Sequence, residues 1–297
     1  MFHKGATSVV YDGEGSYYLA VKGEGIYRFY NGQFKKVLTI GNRILSLKKV
    51  GGNLFGVGDD GTMIKGTDSG ERWNLAHLPT KARVWSITGS DENIVATHGQ
   101  HTIYLSENAG ASWRTIKPFE NLKNKPTIRS LCITSHFLFI GTQIHSLYGG
   151  IWMYSLKTGS LTHINKEEKA MISSLLTLND SYLVAAKGSS KGRRGKIEYT
   201  PILTMERWVF KECKSPGRES CYLDLSEHNG EIYASSTQNR QGFSNIYSVD
   251  VYNSALHQCE TVKGHGFRVA NSEQDFMVAG LYESKYVGCK KDMFVLH

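Results

Sequence analysis

The chain has 297 residues, 40% hydrophobic and 21% charged, with 31 Gly, 5 Pro and 16 Tyr. That composition suits a folded protein rich in strands and tight turns and excludes a disordered or collagen-like chain. Thirty-five basic against 27 acidic residues leave a net charge of +8, which draws an acidic partner without choosing among an acidic protein, a nucleic acid and an anionic glycan.

The predicted elements come as paired phrases. A short apolar segment, a polar turn and a second apolar segment ending near Gly or Ala recur as SVVYD then YYLAVKG, ILSLKKV then NLFGVGD, VWSITGS then NIVATHG, and IRSLCIT then FLFIGTQ. They continue as ISSLLTL then YLVAAKG, CYLDLSE then EIYASST, and FRVANSE then DFMVAGL, seven copies in all. The Ser of the first segment marks the period: Ser8, Ser46, Ser86, Ser130 and Ser174 are spaced by 38, 40, 44 and 44 residues. Such a period fits one four-stranded blade of a β-propeller, and no 3.6-residue apolar pattern argues for a helical repeat. Third and fourth strands follow most pairs, as in GIYRFY then FKKVLTI, and TMIKGT then WNLAHL. The expected fold is therefore all-β, one propeller domain over residues 1–297 with seven four-stranded blades, whose radial repetition hides strand edges. The last copy runs out after MFVLH, so residues 1–4 are the expected source of a closing outer strand.

Five cysteines, Cys132, Cys213, Cys221, Cys259 and Cys289, form no Cys-x-x-Cys pair, and their odd number leaves at least one free thiol. A reducing compartment follows as the simpler expectation. The opening MFHKGATSVVYDGEG has no apolar run of signal-peptide length, and no stretch suits a transmembrane helix. The expectation is a protein kept in the cytoplasm, or assembled there into a larger particle, without membrane insertion.

Two turns between third and fourth strands read Gly66-Thr67-Asp68-Ser69-Gly70-Glu71-Arg72-Trp73 and Ser106-Glu107-Asn108-Ala109-Gly110-Ala111-Ser112-Trp113. A short carboxylate or amide can accept N–H bonds within its own turn, Gly permits the tight backbone, and the aromatic packs beneath. The spacing resembles the Asp box (BNR repeat), S-x-D-x-G-x-x-W, of sialidase-like propellers, with Gly66 in place of its Ser and Asn108 in place of its Asp. Ser155-Leu156-Lys157-Thr158-Gly159 is a degenerate trace of the same turn. The resemblance implies a structural role for Asp68, Gly70, Trp73, Ser106, Asn108, Gly110 and Trp113, on the side opposite the functional face.

The catalytic set that a sialidase would need is not assembled. Only Asn42-Arg43-Ile44-Leu45 and Phe267-Arg268-Val269-Ala270 echo that family's arginine motif, both without its Pro. His98, His101, His136 and His145 have no metal-ligand spacing, and Asp59-Asp60-Gly61 reads as a turn before it reads as a calcium site. We expect no catalytic residues, no metal and no cofactor.

Arginine stands at or beside the start of the inner strand in four repeats, as Arg43, Arg83, Arg129 and Arg268, and these are expected to ring the mouth of the central channel. The second-to-third connections are long in the later repeats, at residues 141–150, 187–196, 235–245 and 280–291. They bring the basic Lys191, Arg193 and Arg194 and the aromatics Tyr148 and Trp152. Loops on a rigid scaffold are where recognition concentrates, and Arg with aromatics is the composition of interface hot spots. The expected function is a non-catalytic scaffold docking a protein partner or a multi-subunit assembly, such as a phage virion. The photosystem II assembly propellers, also built of Asp-box blades, are an analogy for arginine-mediated docking. A glycan, with sialidase-like hydrolysis, and a nucleic acid are the alternatives.

Overall fold

The computed structural model describes residues 5–67, 70–90, 93–189, 194–202, 207–280 and 294–296. Their first strands, Ala6–Tyr11, Ile44–Val50, Ile87–Gly89, Ile128–Ile133, Ala170–Leu178, Tyr222–His228 and Gly266–Asn271, stand side by side around a central channel, and the last touches the first. Outside each of the first six, later strands follow in sequence order as an antiparallel meander. Six sheets are four-stranded blades.

The expectation of seven four-stranded blades is corrected here. The sheet between the sixth blade and the first has three strands, Gly266–Asn271, Phe276–Gly280 and Phe294–Leu296, and the third runs parallel to its neighbour. A meander makes antiparallel neighbours only through tight turns; here residues 281–293 separate the second strand from the third, so the repeat breaks. Residues 1–4, expected to close the ring, lie outside the described residues.

The apolar core sits between sheets. Tyr18, Ala20 and Ile26 of the first blade pack on Ile44, Leu54 and Ile64 of the second, and comparable clusters fill the other seams. The strands that make these seams are nearly continuous in Val, Ile, Leu and aromatics because both of their faces are covered.

The recurring serine has a mechanical reason. Ser8 Oγ accepts the Leu47 N–H at 2.8 Å, Ser46 Oγ that of Ile87 at 3.4 Å, Ser86 Oγ that of Leu131 at 3.1 Å and Ser174 Oγ that of Leu225 at 3.3 Å. Each blade thus stitches the inner strand of the next, and Ser130 instead donates to the Ile172 carbonyl at 2.8 Å. In the sixth blade Asp224 takes the serine's place, its Oδ2 accepting the Val269 N–H at 3.1 Å. Just before the marker the inner strands slip register, between Ala6 and Ser8, Ile44 and Ser46, Ile128 and Ser130, Ile172 and Ser174, Tyr222 and Asp224, and Gly266 and Arg268. Such bulges re-aim one residue per strand, and here that residue faces the closed end of the channel.

Candidate functional site: the arginine mouth of the channel

The bulge residues Leu45, Leu223 and Phe267 form a small apolar cluster with Cys221, Met171 and Trp85, which plugs the channel where the inner strands begin. Beneath it a cavity of about 510 Å³ runs past Ser8, Ser46, Ser86, Ser130, Ser174 and Asp224 toward Tyr11, Lys49 and His228 near the other face. The glycine ending the second strand of the second blade serves this packing: a Cβ on Gly58 would lie 1.9 Å from the Arg43 carbonyl oxygen, so only glycine admits the approach.

Arg268 is a strut across the plug. Its Nη1 donates to Asp224 Oδ1 at 2.7 Å, its Nη2 to the Trp85 carbonyl at 2.8 Å and its Nε to the Leu45 carbonyl at 3.2 Å. All three nitrogens are satisfied, so the closing sheet is tied to the second, third and sixth blades at once. Arg43 and Arg83 converge on one carboxylate: Arg43 Nε lies 3.0 Å from Asp59 Oδ2, and Arg83 Nε 2.9 Å from Asp59 Oδ1. Asp59 is therefore the acceptor of an arginine clasp at the start of a 3-10 turn, and among the described residues no three metal-capable side chains come together.

Arg129 differs. It occupies its blade's bulge position, is 5% exposed, and its Nε and Nη1 are enclosed without an acceptor. The Trp85 ring covers it at 4.1 Å, and Arg83 lies against that ring at 5.1 Å, an Arg-Trp-Arg stack reaching from surface to interior. Burial first, and then the positive charge of Arg268, pull the Arg129 guanidinium down to about 9.

Trp85 is itself held unusually. The third blade's inner strand begins only at Ile87, so the Trp85 backbone lies outside the ladder. Its N–H donates to His98 Nε2 at 3.3 Å and its carbonyl accepts from Arg268. His98 is fully buried, its Nδ1 donates to the Gly99 carbonyl at 2.5 Å, and burial pulls its pKa down to about 4, which keeps Nε2 an acceptor at neutral pH.

The loops are placed differently from the arginines. Trp152 is a core residue, 8% exposed, stacked on His163 at 4.0 Å with Phe119 at its edge, and half-buried Tyr148 packs beside it. The exposed apolar residues of that loop are Ile144 and Leu147. Strand pairing extends to Ser189 and resumes at Lys196, and Arg194 and Lys196 both reach Glu212, at 3.8 and 2.7 Å. Lys191 and Arg193 lie outside the described residues.

On the opposite face, Ser106 Oγ accepts the Gly110 N–H at 2.8 Å and Asn108 Oδ1 that of Ser112 at 2.8 Å, while Trp73 Nε1 donates to the Gly70 carbonyl at 2.7 Å. Each of these turns seats on an aromatic of the preceding blade, Gly70 on Tyr18 and Gly110 on Phe55, and Trp113 packs in the seam with Phe55. Asp68 lies outside the described residues.

No family model matches the sequence. The chain is 44% identical over 288 residues to the uncharacterized protein YkuO of Bacillus subtilis (strain 168), with 97% of each covered. It belongs to the YkuO family. Solved structures similar to this YkuO-family chain include YCF48 from Cyanidioschyzon merolae, at 15% identity and a TM-score of 0.68 with 94% of each chain covered. Virginiamycin B lyase from Staphylococcus aureus aligns at 14% identity and 0.72, over 94% of this chain and 92% of that one. The WD40 repeats of RRP9 align at 11% and 0.71, over 97% and 90%. At these identities the likeness shows the propeller fold alone.

The four arginines are legible from their place at strand starts, but their partners Trp85, Asp59 and Asp224 escape a reading of the sequence. Asp224 is open to discovery, since it stands where the repeat register expects serine; the Trp85 stack is not, because it depends on where the third blade's ladder stops.

Proposed function

We propose that this chain is a non-catalytic scaffold of the Asp-box type that docks an acidic protein partner on the face around the plugged channel mouth, as an accessory subunit of a cytoplasmic assembly. The observation that carries the reading is the charge balance there. Four guanidiniums, of Arg43, Arg83, Arg129 and Arg268, face only two carboxylates, Asp59 and Asp224. Among the described residues that leaves one positive charge in excess on the rim, where Arg43 and Arg83 share Asp59, and one buried beneath it at Arg129, and such a surface steers and orients an acidic partner. One solved structure similar to this fold is YCF48 bound to D1 peptide, which is said of that protein.

The test is recovery of partners from native lysate with wild type and with Arg43→Glu plus Arg83→Glu. Both side chains reach the surface, whereas a charge reversal at buried Arg129 would disturb folding. A defined protein lost from the folded double variant supports docking here. An unchanged set of partners moves the function to another face, and nucleic acid released by modest salt supports the alternative partner.

A further inference from the structure

Among the described residues the mouth holds a buried cation, Arg129, with two nitrogens that no acceptor meets. The titratable groups facing Arg129 are Arg268, Cys221, Asp224, Arg83 and His98. Asp224 is engaged by Arg268 and by the Val269 N–H. Burial pushes the Cys221 thiol up to about 12 despite the nearby guanidinium, so it stays neutral at physiological pH. His98 is also neutral there, with both ring nitrogens in hydrogen bonds. Asp224 acts on Arg129 only as a nearby charge, and among the described residues no group accepts a hydrogen bond from its enclosed Nε and Nη1. A buried donor of this kind is costly unless something accepts from it.

We infer that Arg129 is a carboxylate-binding site lidded by Trp85, and that the ligand enters when the indole lifts off the guanidinium. The Trp85 backbone lies outside the strand ladder, since the inner strand begins two residues later at Ile87, and it is held by His98 and Arg268 while its ring is left to move. Moving the ring breaks one cation–π contact with Arg129 and one with Arg83. A carboxylate returns charge-assisted hydrogen bonds, the stronger interaction in an enclosed site. Arg83 on the outer side of the ring and Arg43 beside it form a positive approach. The inference rests on the proposed docking face for where the carboxylate comes from, an acidic side chain of the partner, and not for the site's chemistry.

The experiment titrates purified full-length protein with sodium acetate and, separately, with a hexaglutamate peptide, against sodium chloride at equal ionic strength, reading tryptophan fluorescence and the thermal midpoint. The expected result is a saturable fluorescence change that Trp85→Phe abolishes, with a raised midpoint, and affinity lower by at least about tenfold in Arg129→Lys, which keeps charge but loses the planar fork. A peptide that binds more tightly than acetate and is displaced by it identifies a partner's side chain as the source; acetate binding at least as well as the peptide identifies a free small carboxylate. No saturable response in wild type, or one that chloride reproduces, overturns the site, and reading that outcome requires no variant to fold. Failure of the site leaves the Arg43 and Arg83 recovery experiment free to succeed. Acetate binding with an unchanged partner set retains the site and refutes the docking face.

Discussion

Asp224→Asn tests whether one carboxylate holds the closing sheet to the ring. The Asp224 carboxylate is enclosed, with its side chain 10% exposed, and it accepts from Arg268 Nη1 at 2.7 Å, the Val269 N–H at 3.1 Å and Ser174 Oγ at 3.3 Å. Asn has nearly the same shape and one remaining acceptor oxygen, so it can serve the guanidinium or the amide but not both, and it removes the charge. Breaking a buried pair from one side costs about 3–5 kcal/mol. The retained oxygen places Asn near the lower end, about 3 kcal/mol, a large part of the stability of a typical domain. The assay is urea unfolding, where this appears as a lower midpoint at unchanged slope. Asp224→Leu should cost more, and adding Arg268→Met to it should recover part of the loss, because the uncompensated cation is then gone. An Asn variant within about 1 kcal/mol of wild type, or a double variant less stable than Asp224→Leu, would refute the reasoning, since the expected magnitude comes from the stranded guanidinium.

Acid should lower the stability of the whole fold through His98, which accepts the Trp85 N–H. The unfolded imidazole takes up its proton near pH 6.5 and the buried one only near 4, so stability falls as pH drops through that window, by about 3 kcal/mol in all. In urea titrations between pH 7 and 4, His98→Gln should lack that part of the slope, and equal slopes in both proteins would count against it. On the opposite face, Asn108→Ala removes the acceptor for the Ser112 N–H and the internal bonds of the turn. It should cost about 1 kcal/mol, by analogy with losing a helix cap, while leaving recovery of any partner unchanged.

The repeat is legible because each blade repeats the same job. A buried pair of strands needs near-continuous apolar residues, and the inner strand needs one small hydroxyl to stitch the next blade, so Ser8, Ser46, Ser86 and Ser174 announce the period directly. The closing sheet is not legible, because apolar runs such as DFMVAGL and MFVLH carry no sign of whether they pair parallel or antiparallel. Trp152 misleads for a different reason: an aromatic beside a long loop has the composition of a contact residue, and only the stack with His163 and Phe119 shows that its neighbours already cover it.

The four arginines are equivalent in the sequence and become three kinds of residue in space, and the bulge explains the division. Arg268 stands at the marker position, so its side chain crosses the channel and meets carbonyls and Asp224 from three blades. Arg43, two residues before the bulge residue Leu45, and Arg83, two before Trp85, stay on the rim, where they share Asp59. Arg129 occupies the bulge position itself, the place taken by Leu45, Leu223 and Phe267 in other sheets, and is therefore sent into an apolar plug that provides no acceptor for its Nε or Nη1. A leucine there would pack the plug with no orphaned donors. Keeping a guanidinium in that position weakens the plug beside Trp85, whose backbone is held by His98 and Arg268 and not by the ladder, and two enclosed donors beside a ring that covers them are the combination a site filled from outside requires.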